Sequence, residues 1–571
     1  MLSRCAIAFI NTSRQMSGPL KDINCEIQCS LGENIQCANS MREIKALLAH
    51  IKSSRSARVI HGALVLAALL IVLPRMAIAS CDKFTIGMNK FDLALQYVGR
   101  ASGGDGSPEY TRVTRAMARK AISDASHIGV TYFRIAVSGF GPAQAGHPGD
   151  LDLWLNDPSK YWASIDEMMA DLQTANICVI PVLIWNKFQF PAMASEPLGA
   201  LLHSVKSASW RLAERYIREF VTRYRRSPNL LFYELTNELN LDVDLDMERN
   251  CRERKNPDEC ALVSNFTTSD MNGFSERLAS LLRSLDNAHK ISSGFALPRP
   301  AAEHLRRRPQ WSGKGADWTP DTAEEFEANL RDIHRSVDII SVHLYPPVSN
   351  RLGVSPREEF KIVEVVQSAA TRIGKPLFIG EFGQRDILVA PERSYESNMI
   401  REIARLQIPY SAVWVWEFYQ VATDAPYQSV PSSFSLEPGY TDKLIAEIAQ
   451  VNATRGQQGY KPDLHDTNSV PSVVLTKPLD CASLVPGAGL FAVASSGGLP
   501  VAYVDFLIDG KAIGRITHPP FRMSLPPSEE TSGIPEIEAR ACSVDNKCSS
   551  YKTRVVLGRN GEATKQCISG T

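Results

Sequence analysis

Between Phe84 and about Gln450 the chain alternates repeatedly between a short apolar run and an amphipathic helical segment. This periodicity is the feature that most narrows its fold. Candidate strands are Phe84–Asn89, Thr131–Val137, Ile177–Ile184, Leu230–Thr236, Lys290–Phe295, Val337–Leu344, Pro376–Gly380 and Tyr410–Trp416. The clearest helix is Lys206–Arg226, where Trp210, Ala213, Ile217, Phe220, Val221 and Tyr224 fall on one face. Strands this apolar lack the polar alternation of a half-exposed sheet, so they read as covered on both faces. Eight strand–helix units predict a (β/α)₈ barrel, which places chemistry at the C-terminal ends of its strands. A doubly wound open sheet is the alternative. No glycine-rich fingerprint follows the first strand, which weakens it.

After Gln450 the pattern changes. Residues 456–470 are polar and aperiodic, as in a linker. From Pro471 onward, short β-type runs alternate with turns, and Asp509-Gly510 between two apolar runs predicts a hairpin. The expected organisation is an extension with a signal segment over 1–80, the barrel over 81–455, the linker, and an all-β sandwich over 471–571.

The N-terminal extension argues for export. Lys52, Arg55 and Arg58 precede the apolar run Ala63–Leu73, and small residues follow, a secretory signal pattern. The run is short for a membrane span. Two processing readings compete: cleavage after Ala79, or a lipobox over Ile78-Ala79-Ser80-Cys81 that would lipidate Cys81. Met41 is an alternative start to Met1. Of the twelve cysteines, Cys5, Cys25, Cys29 and Cys37 show no zinc-type spacing, and Cys178 inside an apolar strand reads as a buried free thiol. The remaining even set reads as disulfides. Cys251–Cys260 and Cys542–Cys548 pair by proximity, which leaves Cys481–Cys567. The formal net charge is zero and the charges are dispersed, so neither nucleic acid nor an anionic membrane is expected as a partner. The membrane enters only through the signal or a lipid anchor, and a monomer is expected.

Two candidate strands end in a carboxylate. Leu230–Thr236 runs into Asn237-Glu238, and Pro376–Gly380 into Glu381-Phe382-Gly383, three units later. Either glutamate alone reads as the polar end of a strand. Two on one barrel rim are the minimum apparatus for glycoside hydrolysis: one protonated to help the leaving oxygen depart, one ionised to attack the anomeric carbon.

With these residues in view, positions 84–450 resemble glycoside hydrolase family 5, the cellulase-like family with paired glutamates on strands four and seven. Tyr-Glu-Leu-Thr-Asn-Glu (233–238) is similar to its strand-four motif and Ile-Gly-Glu-Phe-Gly (379–383) to its strand-seven motif. The resemblance implies Glu238 as acid/base, Glu381 as nucleophile and Asn237 as partner of the sugar 2-hydroxyl. It implies Arg134 and Tyr345 beside the nucleophile, His343 lining the cleft, and Trp416 stacking under the sugar, with Trp414 in the core. Where many relatives carry a histidine after strand three, this chain has Trp185 and Asn186. Leu239 replaces the usual proline. The long segment 240–270 either shapes the cleft or is a tolerated surface insertion. The run Val504–Phe521 resembles immunoglobulin-like modules appended to secreted bacterial enzymes. The expected protein is therefore a secreted or periplasmic retaining β-glycosidase acting on an oligo- or polysaccharide, without metal or cofactor. The alternative is an inactive carbohydrate-binding or adhesion protein on the same barrel. For retention, the two carboxyl groups should stand about 5–5.5 Å apart.

Overall fold

The computed structural model describes residues 84–571 except 102–106, 139–149, 256–259, 349–350, 386–393, 419–433, 456–469, 496–500, 528–532, 559–562, 565 and 568–571. The expected signal segment, Met41, Cys81 and nearly all of the expected linker lie outside the described residues.

Eight strands form one parallel sheet: β1 (Ile86–Asn89), β2 (Tyr132–Ala136), β3 (Cys178–Ile184), β4 (Tyr233–Thr236), β5 (Ile291–Ser292), β6 (Ile340–Leu344), β7 (Leu377–Phe382) and β8 (Tyr410–Val413). Their order is β5-β4-β3-β2-β1-β8-β7-β6, and a parallel bridge from Ser292 to Ile339 joins the two edges. The sheet is thus a barrel, and the open doubly wound alternative falls. Nearly every strand residue is buried, because side chains fill the lumen on one face and helices cover the other. The helix Ala208–Tyr224 buries the predicted face, with Ser207 accepting the Trp210 amide as its N-cap.

Beyond the barrel lie a five-stranded and a three-stranded sheet. The predicted hairpin joins β9 (Tyr503–Ile508) to β10 (Lys511–Ile516), with Asp509 and Gly510 at φ 46° and 78°. The sandwich has its own apolar core around Leu475, Leu490, Phe506 and Ile537. It also docks on the barrel. Val474 and Val493 are buried within the barrel's apolar core. On the helix Pro108–His127, the Arg112 guanidinium donates to the Tyr551 hydroxyl at 2.6 Å and to Thr553 at 3.3 Å.

The three expected disulfides, Cys251–Cys260, Cys481–Cys567 and Cys542–Cys548, are formed. Cys178 is also disulfide-bonded, not the free thiol that its apolar strand suggested. Burial in a strand constrains polarity, but it says nothing about which distant thiol reaches the same place. Among the described residues, no helix is long and apolar enough to cross a membrane.

Candidate active site

Residues of β1, β4 and β7, with Asn237 and Trp185 just past β4 and β3, converge on one buried arginine. Arg134, from β2, is 0% exposed. Its guanidinium donates to Glu381 Oε1 at 2.7 Å, to Glu234 Oε1 at 2.8 Å, to Asn237 Oδ1 at 2.8 Å and to Asn89 Oδ1 at 3.1 Å. A planar fork of donors suits this task, fixing two carboxylates and two amides at once. The cation is stabilised mutually with Glu234 and Glu381, against the cost of burying it.

Local backbone irregularities aim both predicted glutamates. The β6–β7 register slips between Val342 and His343, so that His343 faces Glu381, and the β7–β8 register slips between Ile379 and Phe382. Both slips fall around Gly380-Glu381, as in a β-bulge that re-aims a side chain. The glycines of this motif have a steric reason. A Cβ on Gly380 would meet His343 Nε2 at 2.8 Å, and one on Gly383 would meet the Trp414 carbonyl at 2.5 Å. Glu238 sits in the left-handed region at φ 51° and ψ 27°. Its amide donates to the Gly294 carbonyl at 2.8 Å, and its carbonyl accepts from Leu241 at 3.0 Å. A non-glycine residue held there costs about 1–2 kcal/mol, which the surrounding bonds offset.

The two carboxylates meet over His343. Its Nδ1 lies 2.9 Å from Glu238 Oε1 and 3.5 Å from Glu381 Oε1. An oxygen of each glutamate lies within 4.8 Å of the other. The Tyr345 hydroxyl donates to Glu381 Oε2 at 2.6 Å, so donors occupy both oxygens of that carboxylate. Burial raises the Glu238 carboxyl above its usual range, opposed by the cations Arg134 and Lys187. Burial likewise lowers His343 to about 3, which keeps its ring neutral. It raises the Tyr345 phenol, which the neighbouring Glu381 charge pushes further.

Most residues expected at the site are there: Glu238, Glu381, Arg134, Asn237, His343, Tyr345 and Trp185. His343 is more than a cleft lining, since it bridges the two glutamates. Asn186 forms a turn, its Oδ1 accepting the Phe188 amide at 3.0 Å. Trp416 is the misplaced expectation. It is 0% exposed, and its indole N–H donates to the Ala121 carbonyl at 2.9 Å on the helical side of the barrel. Strict alternation would put residues 414 and 416 on one face, but Trp414 packs instead against Phe91 and Trp185 beside the site. Trp414, Trp185 and buried Phe91 form a set of near-parallel rings, with centroids 4.8–6.0 Å apart. The Arg134 guanidinium lies 5.0 Å from the Trp185 ring centroid. Glu234, Asn89 and Phe91 went unassigned in the sequence. Glu234 carried a signal: a carboxylate four residues before Glu238, inside a strand otherwise apolar.

Glu417, beside Trp416, belongs elsewhere. It joins a buried ionic cluster behind β8, bonding Lys120 at 2.7 Å, while Lys120 also pairs with Asp124 at 3.0 Å. The segment after Glu238 is a folded unit. Its Asp244 accepts from Thr268, its Leu262 carbonyl accepts from Leu198, and Cys251–Cys260 closes it.

Glu238, His343 and Glu381 have the donor atoms for a cation, and so do half-exposed His304, Asp321 and Glu325. In the first set Arg134 already supplies positive charge to Glu381. In the second, His304 Nδ1 lies 2.9 Å from Asp321 Oδ1, an ordinary ion-pair geometry.

Among solved structures, the endo-β-1,4-mannanase of Thermotoga petrophila aligns at TM-score 0.43 and 16% identity, covering 84% of this chain and 99% of that one. The family 5 mannosidase of Rhizomucor miehei aligns at TM-score 0.41 and 12% identity, covering 66% and 96%. No curated protein matches the chain. The family model described as Cellulase (glycosyl hydrolase family 5) matches residues 112–420, more than half of the chain. This protein belongs to glycoside hydrolase family 5 and is a glycoside hydrolase.

Proposed function

We propose that the enzyme hydrolyses a β-linked glycan with retention, Glu381 acting as nucleophile and Glu238 as acid/base. The observation carrying this reading is the closeness of the two carboxylates, within 4.8 Å. That favours the about 5–5.5 Å of retaining enzymes over the about 6.5–9.5 Å that an inverting enzyme needs for an intervening water. In the first step a Glu381 oxygen bonds to the anomeric carbon as the glycosidic C–O bond breaks, and the proton of Glu238 passes to the departing oxygen. In the second, Glu238, now ionised, takes a proton from water. The water oxygen bonds to the anomeric carbon and the ester to Glu381 breaks. Arg134 and Tyr345 hold the nucleophile between them. Asn237, fixed by Arg134, presents its amide to the sugar, and Trp414 supplies an apolar face in place of Trp416. Disulfides persist in oxidising compartments, which supports a secreted or periplasmic enzyme.

The test is a panel of β-glucans, mannans and aryl β-glycosides assayed with wild type, Glu381→Ala and Glu238→Ala. Wild type should cleave at least one with retained anomeric configuration, and each variant should lose at least about 10²–10⁴ in rate. Undiminished activity in Glu381→Ala would remove it as nucleophile.

A further inference from the structure

Glu234 is a buried carboxylate that the double displacement does not use. It lies in β4, four residues before Glu238, and is 0% exposed. Its Oε1 accepts two N–H groups from one edge of the Arg134 guanidinium, Nε at 2.8 Å and Nη2 at 2.5 Å. That grip leaves Nη1 to Glu381 and Asn89, and the second hydrogen of Nη2 to Asn237.

The fold keeps room for this carboxylate. Gly294, two residues past β5, stands at φ 74°. A Cβ there would meet Glu234 Oε1 at 2.7 Å and the Thr236 carbonyl at 1.7 Å. Glutamine in place of Glu234 would offer the same accepting oxygen without the cost of burying a charge. The charge itself therefore needs a use.

The balance of charge around Glu381 supplies one. Facing it are Arg134 from β2, Glu234 and Glu238 from β4 and its end, and His343 and Tyr345 from β6 and its end. Burial keeps His343 and Tyr345 neutral, and Glu238 holds its proton before the first step. One cation is then shared by two carboxylates. Burial raises the Glu234 carboxyl, Arg134 opposes the rise, and the Glu381 charge adds to it, so the two carboxylates feel each other across the shared guanidinium. A guanidinium serving Glu381 alone would stabilise the anion before attack more than during it, which slows the attack.

We propose that Glu234 is a positioning residue: it grips Arg134 by one edge and takes up part of its charge, so that the guanidinium aims Glu381 without blunting it. This rests on Glu381 being the nucleophile.

The experiment compares the full-length enzyme with Glu234→Gln, which keeps the accepting oxygen and removes the charge, on an aryl β-glycoside that wild type cleaves. The variant should lose roughly tenfold in kcat/KM, which reports the first step. The acid limb of its pH profile should move down by about one unit. The second step should not slow, because a carboxylate served by Arg134 alone leaves the glycosyl ester more readily. That step is read as the return of activity after trapping with the matching 2-deoxy-2-fluoro glycoside. Glu234→Asp, one methylene short of Arg134, should move the acid limb the same way by less, and it carries the test by itself if the Glu234→Gln protein does not fold. A folded variant with the wild-type acid limb, or with both steps slowed alike, would overturn the proposal and leave Glu234 a structural support. The nucleophile assignment fails separately: a trapped sugar found by mass spectrometry on a peptide without Glu381 sinks it, whatever Glu234 does.

Discussion

Glu238 and Glu381 are alike in sequence context, a glutamate at the end of an apolar strand, and the fold makes them different. Glu381 receives donors on both oxygens. Glu238 faces a neutral imidazole, and partial burial holds its carboxyl above the ordinary value of 4.5. With Glu238 as the proposed acid, which must be protonated for the first step, kcat/KM should fall as pH rises through that elevated value. On an activated nitrophenyl glycoside, which departs without protonation, Glu238→Gln should lose this alkaline limb while keeping measurable kcat/KM. An alkaline limb that persists in Glu238→Gln would assign it to another group. The paired motifs were legible because they concentrate chemistry within a few residues of each strand end. The tryptophan was not. Trp414 and Trp416 lie two residues apart in Val-Trp-Val-Trp-Glu, where period-2 alternation puts both on one face; the chain leaves that regularity past β8, and the sequence carries no mark of it.

The eight strands were readable because a strand covered on both faces must be apolar throughout, and each expected strand overlaps one that formed. Their ends were harder. The slip around Gly380-Glu381 is one residue on β7 and leaves no periodic trace. Its sequence signature is a glycine whose missing side chain makes room for His343. Gly380→Ala should therefore push His343 and Glu381 apart. The expected cost is about 1–3 kcal/mol of stability, with a roughly 10²-fold fall in kcat from displacement of Glu381, the proposed nucleophile. Kinetics and denaturant unfolding on the same variant check both; wild-type values in each would show that the strand absorbs the methyl group. The Cys251–Cys260 and Cys542–Cys548 pairs were legible from chain proximity. Cys178 was not, since an apolar strand reads the same whether its thiol is free or bonded.

Across the whole molecule the sandwich is bonded to the barrel, not merely strung after it. Val474 and Val493 are buried in the barrel's own core, and Arg112 reaches across to Tyr551 and Thr553. Removing the sandwich would expose the barrel surface that these valines cover, at about 25 cal/mol per Å² of apolar area. A chain ending at residue 455 should therefore melt several degrees lower than the full enzyme or be recovered as aggregate. Unchanged melting and activity would make the module a passive appendage. The strained backbone of Glu238 bears on the same global balance, and there it sets the protein's interest in persisting against its interest in reacting. Asparagine tolerates the left-handed region better than glutamate and carries no buried acid. A Glu238→Asn protein should melt roughly 1 °C or more above wild type while turning over nothing, and a lower melting point would show the glutamate to be a structural support. Selection for a durable chain alone would thus erode the side chain that we propose as its acid.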